Sequence, residues 1–247
     1  MIRELSLPAL DAVWEDLKLG AIPFPLEVRS HGETIEERLR IKAAVYSDLE
    51  TRGLARRHRA EPELEDALTL LARPTICVDN VAMLDMRDRK SLKAMAVATG
   101  RQAMLVIQRD LKVSFTPIRE TALASSIVEV LPHVKAGPGQ PMTIPVEMLG
   151  GGSHRRPDPE HRMTMQRLQG VMQRPVLRAG QFGMTVRDRQ GRTTRLPGIG
   201  WFDTDAGRFM NVVRSAHGAE AWLTLTPADG PRIAHRISEE LLRALQN

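Results

Sequence analysis

The chain lacks the residues that several kinds of protein require. Its 247 residues contain one cysteine, Cys77, which excludes an internal disulfide framework and a zinc site built from several thiolates. No stretch approaches the roughly 20 consecutive apolar residues of a membrane helix. No apolar leader with a small-residue cleavage site follows Met1. We therefore expect a cytoplasmic protein without membrane insertion, in which Cys77 is a buried and inert thiol of a strand.

The sequence also has none of the common catalytic patterns. Its seven histidines are scattered, and none forms a His-x-x-x-His or His-Glu-x-x-His pair that would place two metal ligands on one helix face. It has no Gly-x-Ser-x-Gly elbow, and no Gly-Lys-Ser/Thr follows the glycines at 150–152. The sequence therefore predicts no catalytic residue, no cofactor and no metal. An enzyme stays open only if isolated residues assemble its site.

Charge favours the basic side but is spread along the chain. Lys and Arg number 35 against 30 Asp and Glu, a formal net charge of +5, and 29 of these cations are Arg. Nucleic-acid binding would require basic residues clustered on one face with aromatic platforms between them. Two dense basic spots occur, at 56–59 and 154–156, and acidic residues lie near both. We expect solvated loops and no nucleic-acid partner, and keep a nucleic-acid or polyanion binder as the alternative function.

Periodicity in the first half predicts three helices and then four strands. A helical stripe follows the N-cap residue Ser6, a second follows the capping box that begins at Thr34, and a third starts near Pro62. Short, partly alternating segments at 75–80, 92–99, 102–109 and 112–117 then indicate strands. A helix at about 119–131 is predicted to close this half.

The second half repeats this order. A helix at 159–172 ends in Arg-Pro, as the earlier one does 101 residues before, and strands are predicted at 176–187, 192–195, 199–203, 208–213 and 223–227. The turn glycine Gly207 lies 107 residues after Gly100, and Thr226-Pro227 lies 110 after Thr116-Pro117. A final helix is predicted at 231–246.

This order predicts the fold class. We expect an α+β protein with two similar halves related by a pseudo-twofold axis, each a meandering antiparallel sheet with flanking helices. The prediction is one domain over 1–247, with halves at about 1–134 and 142–247 joined by a Gly/Pro-rich connection. Such sheets can bury one face and present the other to a partner.

Two sequence blocks carry a family resemblance. The first, Leu17–Arg38, reads LxLGxxPFPLxVxSHGxTxxER and continues into Arg-Gly-Leu-Ala at 52–55. The second, Gly200–Phe209, reads GWFDTDxGRF. In order and spacing the blocks resemble the EspG family, the cytosolic chaperones of actinobacterial type VII (ESX) secretion, and the resemblance covers nearly the whole chain.

The resemblance implies a binding protein without catalytic activity, metal or cofactor. Family members hold a PPE protein, usually as a PE–PPE heterodimer, by the tip of its helical bundle, keep it soluble and direct it to one ESX system. The family binds its client through the central sheet and the C-terminal helices. The expected partner is therefore a PPE protein or a PE–PPE heterodimer, while the oligomeric state is open between a monomer and a weak homodimer.

The chain has 12 Met against nine aromatic residues, and flexible Met side chains suit a surface that moulds to a helix. For any single Met, a place in the core is the more common outcome. We expect the motif Ser30-His31-Gly32 to turn the chain and support the following helix rather than to contact a partner. The candidate partner-binding residues are Met95 and Val97 on the second strand, Phe202 and Met210 on the second-half hairpin, and Ile237 and Leu241 on the last helix.

Overall fold

The computed structural model describes residues 4–88, 90–150, 159–215 and 221–246. Within them, ten strands form one sheet in the order β1-β7-β6-β5-β4-β9-β10-β11-β12-β8, and β2 pairs with β3 separately. By its contacts the chain divides into two compact units. Unit 1 comprises Met1–Asp79, Leu92–Ile127 and Arg187–Thr193, and unit 2 comprises Asn80–Ser91, Val128–Val186 and Thr194–Asn247.

Unit 1 contains the three predicted helices. Their bounds and those of the strands are β1 Glu4–Ser6, α1 Leu7–Asp16, α2 Ile35–Thr51, β2 Ala55–Arg56, β3 Arg59–Ala60, α3 Pro62–Ala72, β5 Ser91–Thr99, β6 Gln102–Arg109 and β7 Lys112–Ile118. Strand β4, Ile76–Met83, begins in this unit and ends in unit 2. The core of unit 1 forms where the apolar faces of α1, α2 and α3 meet β5, β6 and β7.

The helix starts follow from the capping residues read in the sequence. Ser6 Oγ accepts the Ala9 N–H at 3.3 Å, and Thr34 Oγ1 accepts the Glu37 N–H at 3.1 Å. The Glu37 carboxylate reaches back to the Glu33 N–H at 2.9 Å, one residue before the position that a standard capping box would use. Both N-cap predictions are confirmed.

Unit 2 contains the second set of elements. Their bounds are β8 Met142–Pro145, α5 Pro159–Met172, β9 Arg178–Arg187, β10 Thr193–Thr204, β11 Gly207–Arg214, β12 Trp222–Pro227 and α6 Gly230–Gln246. Helix α4, Leu123–Val128, belongs to unit 1 except for its last residue. A small core lies between α5 and the sheet, where Leu168 meets Phe209, Leu225 and two residues of β8.

The observed fold confirms the α+β class with a large antiparallel sheet and flanking helices. A helix, four strands and a helix occur in this order twice, from α3 to α4 and from α5 to α6. The pseudo-twofold relation and the division at 1–134 and 142–247 stay predictions.

Two local expectations were wrong, and three short strands were not predicted. The strands predicted at 192–195 and 199–203 form one strand, β10, because sheet pairing overrides the turn signal of Pro197-Gly198. The helix predicted at 119–131 shrinks to a 3-10 turn, Glu120–Ala122, followed by the short α4. Strand β1 and the hairpin β2–β3 were not predicted, since segments of two or three residues carry no periodicity. The basic spot at 154–156 lies outside the described residues.

Candidate partner-binding surface

The second sequence block forms a buried ion pair in unit 2. Arg208 Nε and one terminal nitrogen donate to the two Asp203 carboxylate oxygens at 2.6 and 2.9 Å, and both side chains are 1% exposed. The same terminal nitrogen donates to the Pro132 carbonyl at 2.9 Å, and the guanidinium lies 4.9 Å from the Trp201 ring centre. Both charges are therefore satisfied internally, and the block serves the packing of unit 2 rather than chemistry at its surface.

The turn of this block, between β10 and β11, is as the sequence predicts. Thr204 Oγ1 donates to the Gly207 carbonyl at 3.1 Å and accepts the Ala206 N–H at 3.2 Å. Gly207 has a φ of 129°, and a Cβ there would lie 2.8 Å from the Lys135 carbonyl oxygen and from the Gly137 nitrogen. Only glycine allows this backbone and this close approach, which explains its place in the block.

The first sequence block also has a structural role, in unit 1. Arg38 donates to the Asp11 and Glu15 carboxylates of α1 and, at 2.9 Å, to the His31 carbonyl. His31 in turn donates its backbone N–H to Asp11 at 2.8 Å. Gly32 turns the chain here with a φ of 101°, and a Cβ placed on it would lie 2.8 Å from the backbone nitrogen of Arg38. Ser30-His31-Gly32 thus turns the chain beside α1 and the start of α2.

This cluster changes the acidity of its carboxylates. Burial raises the pKa of Asp11, but the hydrogen bonds from Arg38 and from His31 together outweigh it and hold that pKa below its usual value. The hydrogen bond from Arg38 likewise lowers the pKa of Glu15. Both carboxylates are therefore charged when the helices are packed together, and they bind the guanidinium rather than a ligand.

Four of the six candidate binding residues lie in the interior. Met95 and Val97 belong to the core of unit 1, at 1% and 0% exposed. Ile237 and Leu241 form the buried face of α6 in unit 2. These four side chains would contact a partner only if the core opened, so their role in the fold is packing.

The other two candidates are partly exposed. Phe202 stacks on the buried Phe209 ring, with ring centres 5.6 Å apart and planes at 20°, and it borders the core beneath α5. Met210 lies beside an open groove whose other wall contains Arg232, His235 and Glu239 of α6. Phe202 therefore supports the sheet from one face, while Met210 reaches the groove along the last helix.

The apolar stripe of α6 continues beyond its buried part. Ile233, Ile237 and Leu241 are buried at spacings of four residues. Leu245, the next residue of that stripe, is 55% exposed, and Leu242 beside it is 58% exposed. Because exposed leucines three positions apart lie on one side of a helix and can anchor another protein, the last turns of α6 are a candidate docking surface.

Charged residues surround this end of the helix. The Glu240 carboxylate, 8% exposed, accepts from Arg236 at 2.8 Å and from Arg214 of β11, and Arg243 lies 3.4 Å away. Trp222 of β12 pairs directly with Arg214 and is partly exposed. Arg214 and Arg243, both half-exposed, thus lie with exposed apolar residues near this end of the helix, and interfaces combine apolar and charged residues of this kind. The α6-end surface is defined here as Arg214, Trp222, Leu242, Arg243 and Leu245.

The α6-end surface was not predicted from the sequence. The periodicity of α6 identified the residues that face the sheet, and it cannot tell where the sheet stops covering them. The only available signal was the apolar spacing at 233, 237 and 241, which continues to Leu245 at the end of the predicted helix.

The described residues offer no metal site and no membrane helix. No group of three or more His, Cys, Asp or Glu side chains in the described ranges is placed to hold a metal ion. Nor does any helix within those ranges combine the length and the apolar character needed to cross a membrane.

Comparison with known proteins identifies the family. A comparison with curated protein sequences found no match. Among solved structures, the EspG5 chaperone of the Mycobacterium tuberculosis type VII secretion system, in complex with the PE25–PPE41 dimer, is similar at a TM-score of 0.72 and 10% sequence identity. The similarity covers 98% of this chain and 96% of that one. The model of the EspG family matches residues 6–239, and the chain therefore belongs to the EspG family.

Proposed function

We propose that this protein is a chaperone of type VII secretion that binds a PPE protein, as a PE–PPE heterodimer, and directs it to the secretion system. The match of the EspG family model to residues 6–239 carries this proposal. The similar EspG5 chaperone, solved in complex with the PE25–PPE41 dimer, supports the same kind of client. The family works by binding, so we infer that the protein is not an enzyme, and that it acts in the cytoplasm before the client is exported.

The physical task explains the kind of surface that is needed. An apolar tip on a secreted helical bundle would aggregate in water, and covering it requires apolar anchors with a polar rim. The α6-end surface offers Leu242 and Leu245 as anchors, with Arg214 and Arg243 as charged neighbours. We propose this surface, together with Met210 in the groove beside the first part of α6, as part of the client-binding site.

Co-expression tests the proposal. The protein is produced with candidate PE–PPE pairs from the same genome, and size-exclusion chromatography shows whether a pair co-elutes with it and gains solubility. We expect one pair or a few related pairs to form a stable complex. If no helical secreted protein of that genome co-elutes, the proposed function is wrong.

A charge substitution tests the surface itself. The double variant Leu242→Asp/Leu245→Asp should weaken client binding by about 2 kcal/mol or more, because interface anchors of this kind dominate binding energy. Both side chains are largely exposed, so the melting temperature should change little. Leu111→Asp, at an exposed apolar residue of unit 1, is the control for an added surface charge and should leave client binding unchanged. Equal binding by the double variant and the wild type would exclude this surface.

The nucleic-acid alternative has less support from the structure. Many of the described basic residues lie in ion pairs with carboxylates, including Arg38, Lys42, Lys93, Arg178 and Arg208. Binding to DNA through phosphates would weaken steeply as salt rises, because counterions are released. Salt-sensitive retention on a DNA column would favour this alternative.

A further inference from the structure

A short hairpin in unit 1 presents three arginines around a tight turn. Strands β2 and β3 pair Ala55 with Ala60 and Arg56 with Arg59, so that Arg57 and His58 form the two-residue turn. The arginine hairpin is defined here as residues 55–60. Its three arginine side chains are exposed.

The backbone of this turn is unusual for its residues. Arg57 and His58 have φ values of 51° and 57°, the left-handed region that a two-residue hairpin requires and that Asn or Gly normally supply. Residues with larger side chains occupy this region at a cost in free energy, and such costs are concentrated at functional sites. The hairpin therefore keeps two non-glycine residues where glycine would be more stable.

Contacts with α2 hold the turn in place. The His58 N–H donates to the Glu50 carboxylate at 2.8 Å, and the His58 ring meets the buried Tyr46 ring edge-on with centres 5.8 Å apart. At the base, the Leu54 N–H donates to the Leu49 carbonyl at 2.8 Å, so the hairpin is fixed to the end of α2. The arginines thus project from a backbone that these contacts with Leu49, Glu50 and Tyr46 hold against α2.

The charges of the hairpin are not neutralised by the part of the chain that the structure describes. Arg56 and Arg59 are direct cross-strand partners, and like charges in that arrangement repel. In the described ranges no carboxylate lies within ion-pair distance of Arg56, Arg57 or Arg59, in contrast to Arg38, which pairs with two. A bound anionic group would remove this repulsion.

We propose that the arginine hairpin is a docking site for a short acidic segment of a partner protein. Two neighbouring carboxylates would pair with Arg56 and Arg59, since guanidinium groups bind carboxylates in a two-pronged geometry. A nucleic acid fits less well, because single-stranded nucleic acids stack their bases on exposed aromatic rings. The neighbouring aromatic ring, Tyr46, is buried and offers no face for stacking a base. This site is separate from the proposed client surface, and its test uses no client.

Binding of hexaglutamate to the full-length chain tests the proposal. A fluorescently labelled hexaglutamate peptide is titrated at low ionic strength with the wild type and with the triple variant R56Q/R57Q/R59Q. The variant should bind about tenfold more weakly, because the contacts of Arg56 and Arg59 and the nearby charge of Arg57 are lost. The control R29Q/R40Q/R189Q removes three exposed arginines elsewhere and has the same net charge, so it should stay within about twofold of the wild type.

Two further measurements complete the test. Hexathymidylate, with a similar number of charges, should bind more weakly than hexaglutamate. The single variant Arg56→Thr should raise the melting temperature, because it relieves the cross-strand repulsion between Arg56 and Arg59. Circular dichroism shows whether each variant is folded. The proposal is overturned if hexaglutamate does not bind, if the two triple variants weaken binding equally, or if hexathymidylate binds as well or better.

Discussion

Asp203→Ala should destabilise the protein strongly because it leaves the Arg208 guanidinium buried without its counterion. The variant loses hydrogen bonds of 2.6 and 2.9 Å, while the bond to Pro132 and the contact with the Trp201 ring remain. Removing one partner of a buried ion pair lowers the unfolding free energy by about 3–5 kcal/mol. We expect a loss of about 3 kcal/mol, because the two remaining contacts still stabilise the guanidinium. For a chain of this size, this corresponds to a decrease of roughly 6–12 °C in melting temperature.

Urea unfolding followed by circular dichroism measures this loss, with two control variants. Asp205→Ala removes an exposed carboxylate of the same turn, which pairs with Arg174 at 2.9 Å, and should cost about 0–1 kcal/mol. The double variant Asp203→Leu/Arg208→Met removes both buried charges and should regain most of the lost stability. A loss below about 1 kcal/mol for Asp203→Ala, or a double variant no more stable than the single one, would refute the reasoning.

Two further predictions concern packing and pH. Gly137→Ala should destabilise the protein, because the new Cβ would lie 2.2 Å from the buried Phe209 ring, whereas Gly170→Ala, on an open face of α5, should raise the unfolding free energy by about 0.5–1 kcal/mol. Equal effects in denaturant unfolding would contradict the steric argument. Because the folded-state pKa of Asp11 is lowered, its ion pair stabilises the fold fully above the ordinary carboxyl pKa and progressively less as pH falls below it. In the variant Arg38→Gln, the unfolding free energy should decrease less as the pH is lowered. Superimposable curves of unfolding free energy against pH for the variant and the wild type would exclude the effect.

The helix starts and the turns could be predicted because short-range chemistry determines them. Ser6 and Thr34 cap their helices through side-chain oxygens only three residues from the N–H groups they accept. The turn at Gly207 likewise requires glycine, because its φ is positive and neighbouring backbone atoms leave no room for a Cβ. The family could be predicted for a related reason: its two blocks contain these turn residues together with the arginines and acids that fix them.

The exposure of each apolar residue could not be predicted in this way. Met95 and Val97 satisfy the pattern of a strand with one open face, yet both are buried because helices of unit 1 cover them. On α6, Leu241 and Leu245 occupy the same helix face, and only the first is buried. Periodicity shows which residues share a face, whereas their burial depends on elements that are distant in the sequence.

By itself, then, the sequence determined the α+β class, the order of the long elements, the capping and turn residues, and the family. The tertiary structure decided that Asp203 and Arg208 form a buried pair, that the side chains of Leu242 and Leu245 are exposed to solvent, and that three arginines share one hairpin. The physical reason is the range of the interactions. Backbone geometry and capping act over a few residues, whereas burial and charge pairing depend on which surfaces meet once the chain has folded.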